Sequence, residues 1–199
     1  MSKKLAVFFP GIGYTVDKPL MYYSRKIAAS AGYEIKLLPY TGFPEKILGD
    51  TNRMQESYAI ALRQSEEMLA DLNLREYDDL LFVGKSIGTI VAAELASRTL
   101  SSSCPDTGRT NRSRIRFVLY TPLDATFRFS IGEALVFTGS EDPWVGREKS
   151  RISSLCNEAD IPCIVIAGGN HSLETGDLQK DISNLQMIMQ RTGEFIGFI

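Results

Sequence analysis

Six short apolar runs alternate with segments of helical periodicity along this chain, and few folds accept that order. The runs are Leu5–Phe9, Glu34–Leu38, Asp79–Val83, Ile115–Tyr120, Ala134–Thr138 and Cys163–Ala167. They are rich in Val, Ile, Leu and Phe, as expected of strands covered on both faces. Between them the pattern predicts helices over about Lys18–Ala31, Arg53–Leu72, the residues after Ser86 to Thr99, Gly146–Ala159 and Leu178–Thr192. Asn52 or Thr51 is expected to cap the second and Asp177 the last. Strand and helix in strict alternation imply an α/β class: a doubly wound parallel sheet with helices on both faces. The polar stretch Ser101–Arg114, "SSSCPDTGRTNRSR", reads as a surface loop joining a helix to the next strand.

At 199 residues the chain is expected to form a single domain, residues 1–199. A net charge of -2 gives no general attraction to nucleic acid. The three cysteines, Cys104, Cys156 and Cys163, are odd in number with no CxxC spacing, which points to reduced thiols and a cytoplasmic protein. With one histidine, a zinc site lacks ligands. The opening "MSKKLAVFFPGIGYT" reads as a buried strand rather than a signal peptide, and no run is long enough to span a bilayer. Neither a membrane nor a metal or organic cofactor is expected.

The stretch "LLFVGKSIGTIVAAELA" admits two chemistries. A phosphate-binding loop needs a glycine five residues before Gly84, but Asp79 stands there, and residues 80–83 are strand-like. The dinucleotide fingerprint fails similarly: Gly11 and Gly13 are followed by Val16 where a third glycine belongs. The spacing Gly84-Lys85-Ser86-Ile87-Gly88 does fit a nucleophile elbow, with Ser86 on a sharp strand-to-helix turn. The following helix would present the Ile87 N–H to a developing oxyanion.

Such a serine needs a base, and His171 is the only histidine. It lies just past the last strand, where α/β active sites form, in "IAGGNHSLE". Asp142, in "GSEDPWV" after the fifth strand, is a candidate to orient it, with Glu141 and Asp124 as rivals. An Asp142 carboxylate is expected to raise the imidazole from its ordinary value of about 6.5.

Taken together, "FFPGIGYT", "GKSIGT", "LYTPL", "GSEDPWV" and "GGNHSLE" resemble a small member of the α/β-hydrolase superfamily over nearly the whole chain. The chain order Ser86, Asp142, His171 is the order of that superfamily. The resemblance implies a three-layer fold with six parallel strands in order 2-1-3-4-5-6, and Ile12 as the second oxyanion-hole donor beside Ile87. The first turn reads Pro10-Gly11-Ile12 where the family usually has His-Gly-x, and Lys85 before the nucleophile is also unusual.

The connection "TPLDATFRFSIGE" after the fourth strand is close to ordinary loop length, leaving no room for a lid domain and implying an open crevice. Strand-end loops are expected to line it with Tyr14, Tyr40, Phe43, Pro122, Leu123, Phe127, Trp144 and Leu173. Lys85 reads either as a solvated side chain beside the elbow or as an attraction for an anionic substrate. The implied activity is serine hydrolysis of a small acyl substrate, a carboxylic ester first and a thioester second. The alternative is a non-catalytic binding protein on the same fold.

Overall fold

The structure is a computed structural model that describes residues 2–101, 113–145 and 150–198. Its strands are β1 (Lys4–Phe9), β2 (Glu34–Leu37), β3 (Asp79–Lys85), β4 (Arg114–Tyr120), β5 (Glu133–Gly139) and β6 (Cys163–Ile166). Its helices are α1 (Pro19–Ser30), α2 (Thr51–Leu69), α3 (Ile87–Ser101), α4 (Arg151–Glu158) and α5 (Leu178–Ile196). All six strands pair in parallel in the order β2-β1-β3-β4-β5-β6.

The side chains of each central strand alternate between two cores, as a pleated ribbon requires. Leu5, Val7 and Phe9 of β1, with Leu80 and Phe82 of β3, pack with Ala61 of α2, Val91 and Ala96 of α3, and Ile152 of α4. Ala6 and Phe8, with Leu81 and Val83, pack with Leu20 and Met21 of α1 and Ile188 and Ile196 of α5. Each strand thus separates α2, α3 and α4 from α1 and α5. Both edge strands, β2 and β6, are four residues long and less buried than the centre, which limits the unpaired edge they expose.

Buried polar groups tie the second layer to the sheet. The Tyr120 hydroxyl hydrogen-bonds Ser24 of α1 at 2.8 Å and Thr192 of α5 at 2.9 Å, joining both helices to β4. At the opposite end of the sheet from the strand C-termini, buried Arg116 pairs with Asp79 at 3.0 Å and donates to the Phe195 carbonyl at 2.8 Å.

The expected elements all form, with shifts at their ends. Asp50, not Asn52 or Thr51, caps α2, accepting from the Arg53 N–H at 3.0 Å. Asp177 caps α5, accepting from Gln179 and Lys180. The fourth helix begins at Arg151; residues 146–149 of its expected span lie outside the described residues. So do Cys104 and most of the polar stretch, residues 102–112. Cys156 of α4 and Cys163 of β6 are free thiols near enough to influence each other's ionisation, a proximity their separation in sequence does not announce. Among the described residues, no helix is long and apolar enough to cross a membrane.

The layers meet most tightly where α3 starts. A Cβ on Gly88 would lie 2.1 Å from the Phe9 carbonyl oxygen, so only glycine lets the helix sit this close to β1. Gly88→Ala is expected to push α3 off the sheet and cost about 1–3 kcal/mol, the usual range for overpacking. Gly132→Ala, in open space without a positive φ, should stay within about 0.5 kcal/mol of the parent. Urea unfolding of the two variants checks the contrast.

Candidate active site

Parallel strands end together, and their C-terminal ends gather loops distant in sequence. Register places Gly84 beside Phe9 on one side and Leu119 on the other, so β3 ends between the turns that leave β1 and β4. Ser86 occupies the sharp corner between β3 and α3. Its φ is +53°, a left-handed backbone rarely adopted by a residue with a side chain. The corner is held from three directions. The Ser86 N–H donates to the Tyr120 carbonyl at 3.0 Å, the Thr89 N–H donates to the Ser86 carbonyl at 2.9 Å, and the Thr89 hydroxyl donates to that carbonyl at 2.6 Å. Glycine is again required beside it: a Cβ on Gly84 would lie 2.9 Å from Thr89 Cα.

His171 follows β6 in a segment closed by Asn170. The Asn170 N–H donates to the Glu174 carbonyl at 2.9 Å, and its side-chain oxygen accepts from the N–H of Ser172 at 2.7 Å and of Glu174 at 3.2 Å. The segment lies against Gly139, at the end of β5, where a Cβ would stand 2.1 Å from the Gly169 carbonyl oxygen. That closeness brings the Asp142 turn and the His171 segment together. His171 Nε2 is 2.8 Å from Ser86 Oγ, and His171 Nδ1 is 2.7 Å from Asp142 Oδ2. A carboxylate only accepts, so the Nδ1 proton faces Asp142 and Nε2 is left to accept the serine hydroxyl. The other Asp142 oxygen accepts the Trp144 N–H at 2.9 Å, and the Trp144 ring lies 5.4 Å from the His171 ring. Asp142 is 5% exposed. The rivals stand elsewhere: Asp124 pairs with Arg151 at 3.2 Å, and Glu141 is exposed.

The turn after β1 and the start of α3 both adjoin Ser86. Gly11-Ile12-Gly13-Tyr14 is a tight turn closed by Gly11 N–H to Tyr14 carbonyl at 3.1 Å and by the reverse bond at 3.3 Å. Gly13, at φ +70°, supplies the left-handed position that such a turn needs. Ile12 sits at the turn's tip, and among the described residues its N–H has no backbone partner. Ile87 is the first residue of α3, so its N–H has no carbonyl one turn earlier within the helix. Gly11 allows the approach, since a Cβ there would be 3.2 Å from Ser86 Cβ.

The residues expected to line the crevice divide. Trp144 lies tilted against the His171 ring, while Leu123 and Phe127 are half-buried and Pro122 is buried. Tyr40 and Phe43 meet edge to face and pack toward α2, where the Tyr40 hydroxyl bonds Ser65 at 2.6 Å. Tyr14 and Leu173 line a cavity of about 120 Å³ against α1 and α5, behind the His171 segment.

Two expectations are corrected. Lys85 is not solvated: it is 1% exposed. Strand alternation puts it on the same side as Leu81 and Val83, facing the layer of α1 and α5 instead of the crevice. Its ammonium donates to the Thr121 hydroxyl at 2.7 Å and lies 5.0 Å from the Tyr14 ring centre. Burial pulls its pKa down to about 7, with the Asp142 charge acting the other way. The second correction concerns His171. Burial lowers its pKa below the ordinary imidazole value; the Asp142 hydrogen bond raises it but is outweighed, and the Lys85 charge adds to the lowering.

Thr121 and Asn170 were not among the candidates. Asn170 carried a signal, being a turn-forming residue among glycines. Thr121 carried none, since its part depends on the strands either side of it.

No protein-family model matches the chain, and no curated protein matches it. Solved structures do. An esterase from Pyrococcus furiosus is similar at a TM-score of 0.61 and 13% identity, covering 98% of this chain and 83% of the esterase. An esterase from Thermogutta terrifontis with propionate bound is similar at 0.55 and 17%, covering 100% and 85%. An α/β serine hydrolase homologue from Coxiella burnetii is similar at 0.55 and 14%, covering 96% and 85%. Strand order, helix layers and these likenesses agree: the chain has the α/β-hydrolase fold.

Proposed function

We propose that the protein is a serine hydrolase that cleaves a carboxylic ester of a small substrate through an acyl-enzyme on Ser86. The hydrogen-bonded line from Ser86 to His171 to Asp142, with the serine on a left-handed corner, carries this reading. His171 Nε2 takes the Ser86 proton as Oγ attacks the acyl carbonyl. The Ile12 and Ile87 amides face the negative oxygen of the tetrahedral intermediate. Its collapse expels the alcohol, which receives the proton from His171. Water, activated by the same imidazole, then releases the acid. Asp142 fixes the ring orientation and balances the imidazolium. Esterases among the similar folds, one holding propionate, favour an ester over a thioester.

A fluorophosphonate probe tests the nucleophile. It should label the parent stoichiometrically and leave folded Ser86→Ala unlabelled; no labelling of the parent would favour a non-catalytic binding protein. Asp142→Asn should lower kcat by about 10⁴-fold, the loss seen when such an Asp is amidated. Asp124→Asn should change turnover little, because its partner Arg151 is an exposed pair remote from the relay. Steady-state hydrolysis of short p-nitrophenyl esters reads both.

The sign of the acid limb follows from the surroundings of His171. The base must be neutral, and burial together with Lys85 favours the neutral ring. Activity should therefore persist as pH falls past about 6.5, the ordinary value, and decline only lower. A kcat/KM profile checks this: a limb above that value would contradict the lowered pKa.

A further inference from the structure

Lys85 is a charged side chain, 1% exposed, that no step of the hydrolysis requires. Burying an ammonium is costly unless its surroundings compensate, so what it touches is informative. It donates to Thr121 Oγ1 at 2.7 Å, and the Thr121 hydroxyl in turn donates to the His171 carbonyl at 3.2 Å. These two bonds run from the strand that carries the nucleophile, through the end of β4, to the backbone of the base.

Thr121 is built for this place. It is fully buried and has a φ of +43°, a genuine outlier for a β-branched residue. Its N–H is held by the Phe137 carbonyl at 2.7 Å. Such a backbone persists only where its surroundings over-determine it. Beside it, the Tyr14 ring offers a face to the ammonium, while its hydroxyl is turned away to accept the Leu20 N–H at 3.2 Å.

We propose that Lys85 and Thr121 are positioning residues: together they fix the His171 backbone beneath the nucleophile, and the Lys85 charge offsets the Asp142 carboxylate so that the imidazole stays neutral until the serine proton arrives. The inference rests on His171 being the base. The ionisable groups around the ring are Asp142 from the turn after β5 and Lys85 from β3. Tyr14, beside Lys85 on the turn after β1, is held neutral by burial, which raises its pKa, as does the charge of Glu174 from the His171 segment. Lys85 and His171 compete for positive charge, so protonating one loosens the proton on the other.

Because the chain has one histidine, its imidazole NMR signals titrate without ambiguity, and the readout needs no substrate. In Lys85→Met, which keeps an unbranched side chain one atom shorter and removes the charge, the His171 midpoint should rise by about one pH unit. An unchanged or lower midpoint in the folded variant overturns the electrostatic part. Thr121→Val keeps shape and removes the hydroxyl, and it serves also if Lys85→Met does not fold. It should lower kcat about tenfold or more with little change in KM, and Thr121→Ser should restore most of the loss. Full kcat in folded Thr121→Val, or loss shared equally by Thr121→Ser, overturns the positioning part. If the parent hydrolyses no ester, the proposed function fails while the titration still decides what Lys85 does to His171.

Discussion

The corner at Ser86 is the constraint on which the rest of the site depends. To lift one side chain clear of the sheet, the chain must leave β3 in a left-handed step and enter a helix at once. That is possible only if the helix starts almost in contact with the neighbouring strand. Gly88 removes the clash with Phe9, Gly84 the clash with Thr89, and Gly11 lets the first turn draw up to the serine. Bulk at any of these positions would move Ser86, the start of α3 or the turn after β1 relative to the others. The geometry of the site is thus set first by where side chains are missing.

A second glycine contact acts at the other side of the crevice. Gly139 against Gly169 brings the Asp142 turn within reach of the His171 segment, and Asn170 closes that segment on itself. The result is a histidine on a connection that is short and internally bonded. It is tied from below as well, through Thr121. Loops usually give up precision for mobility; here hydrogen bonds to main-chain atoms restore it.

Much of this was legible in the sequence, for reasons that particular residues make plain. The strands declared themselves because both faces of each are covered, so Leu80, Leu81, Phe82 and Val83 form one apolar run. The meeting of Ser86, Asp142 and His171 was legible because each stands at a strand end, and the fold brings strand ends together. Lys85 was misread because lysine is so seldom buried. Yet alternation from Leu81 and Val83 already assigned it to the inner face. The His171 pKa went the wrong way for a related reason: the visible carboxylate was counted, while the burial and the hidden ammonium were not. Thr121 and the Asp50 cap depend on contacts and local backbone that residue type alone does not disclose.

The three strand ends that bring Ser86, Asp142 and His171 together lie far apart along the chain. None of the supersecondary units contains more than a part of this set. The line from Ser86 to His171 to Asp142 forms only when β3, β5 and β6 are in the same sheet, and parallel sheets join through long crossovers that close slowly. Formation of the Ser86–His171–Asp142 line during refolding would consequently mark the final docking of the sheet, lagging helix formation. By the same geometry, a single cut between residues 86 and 171 would leave the serine and the histidine on separate pieces, held together only by the sheet.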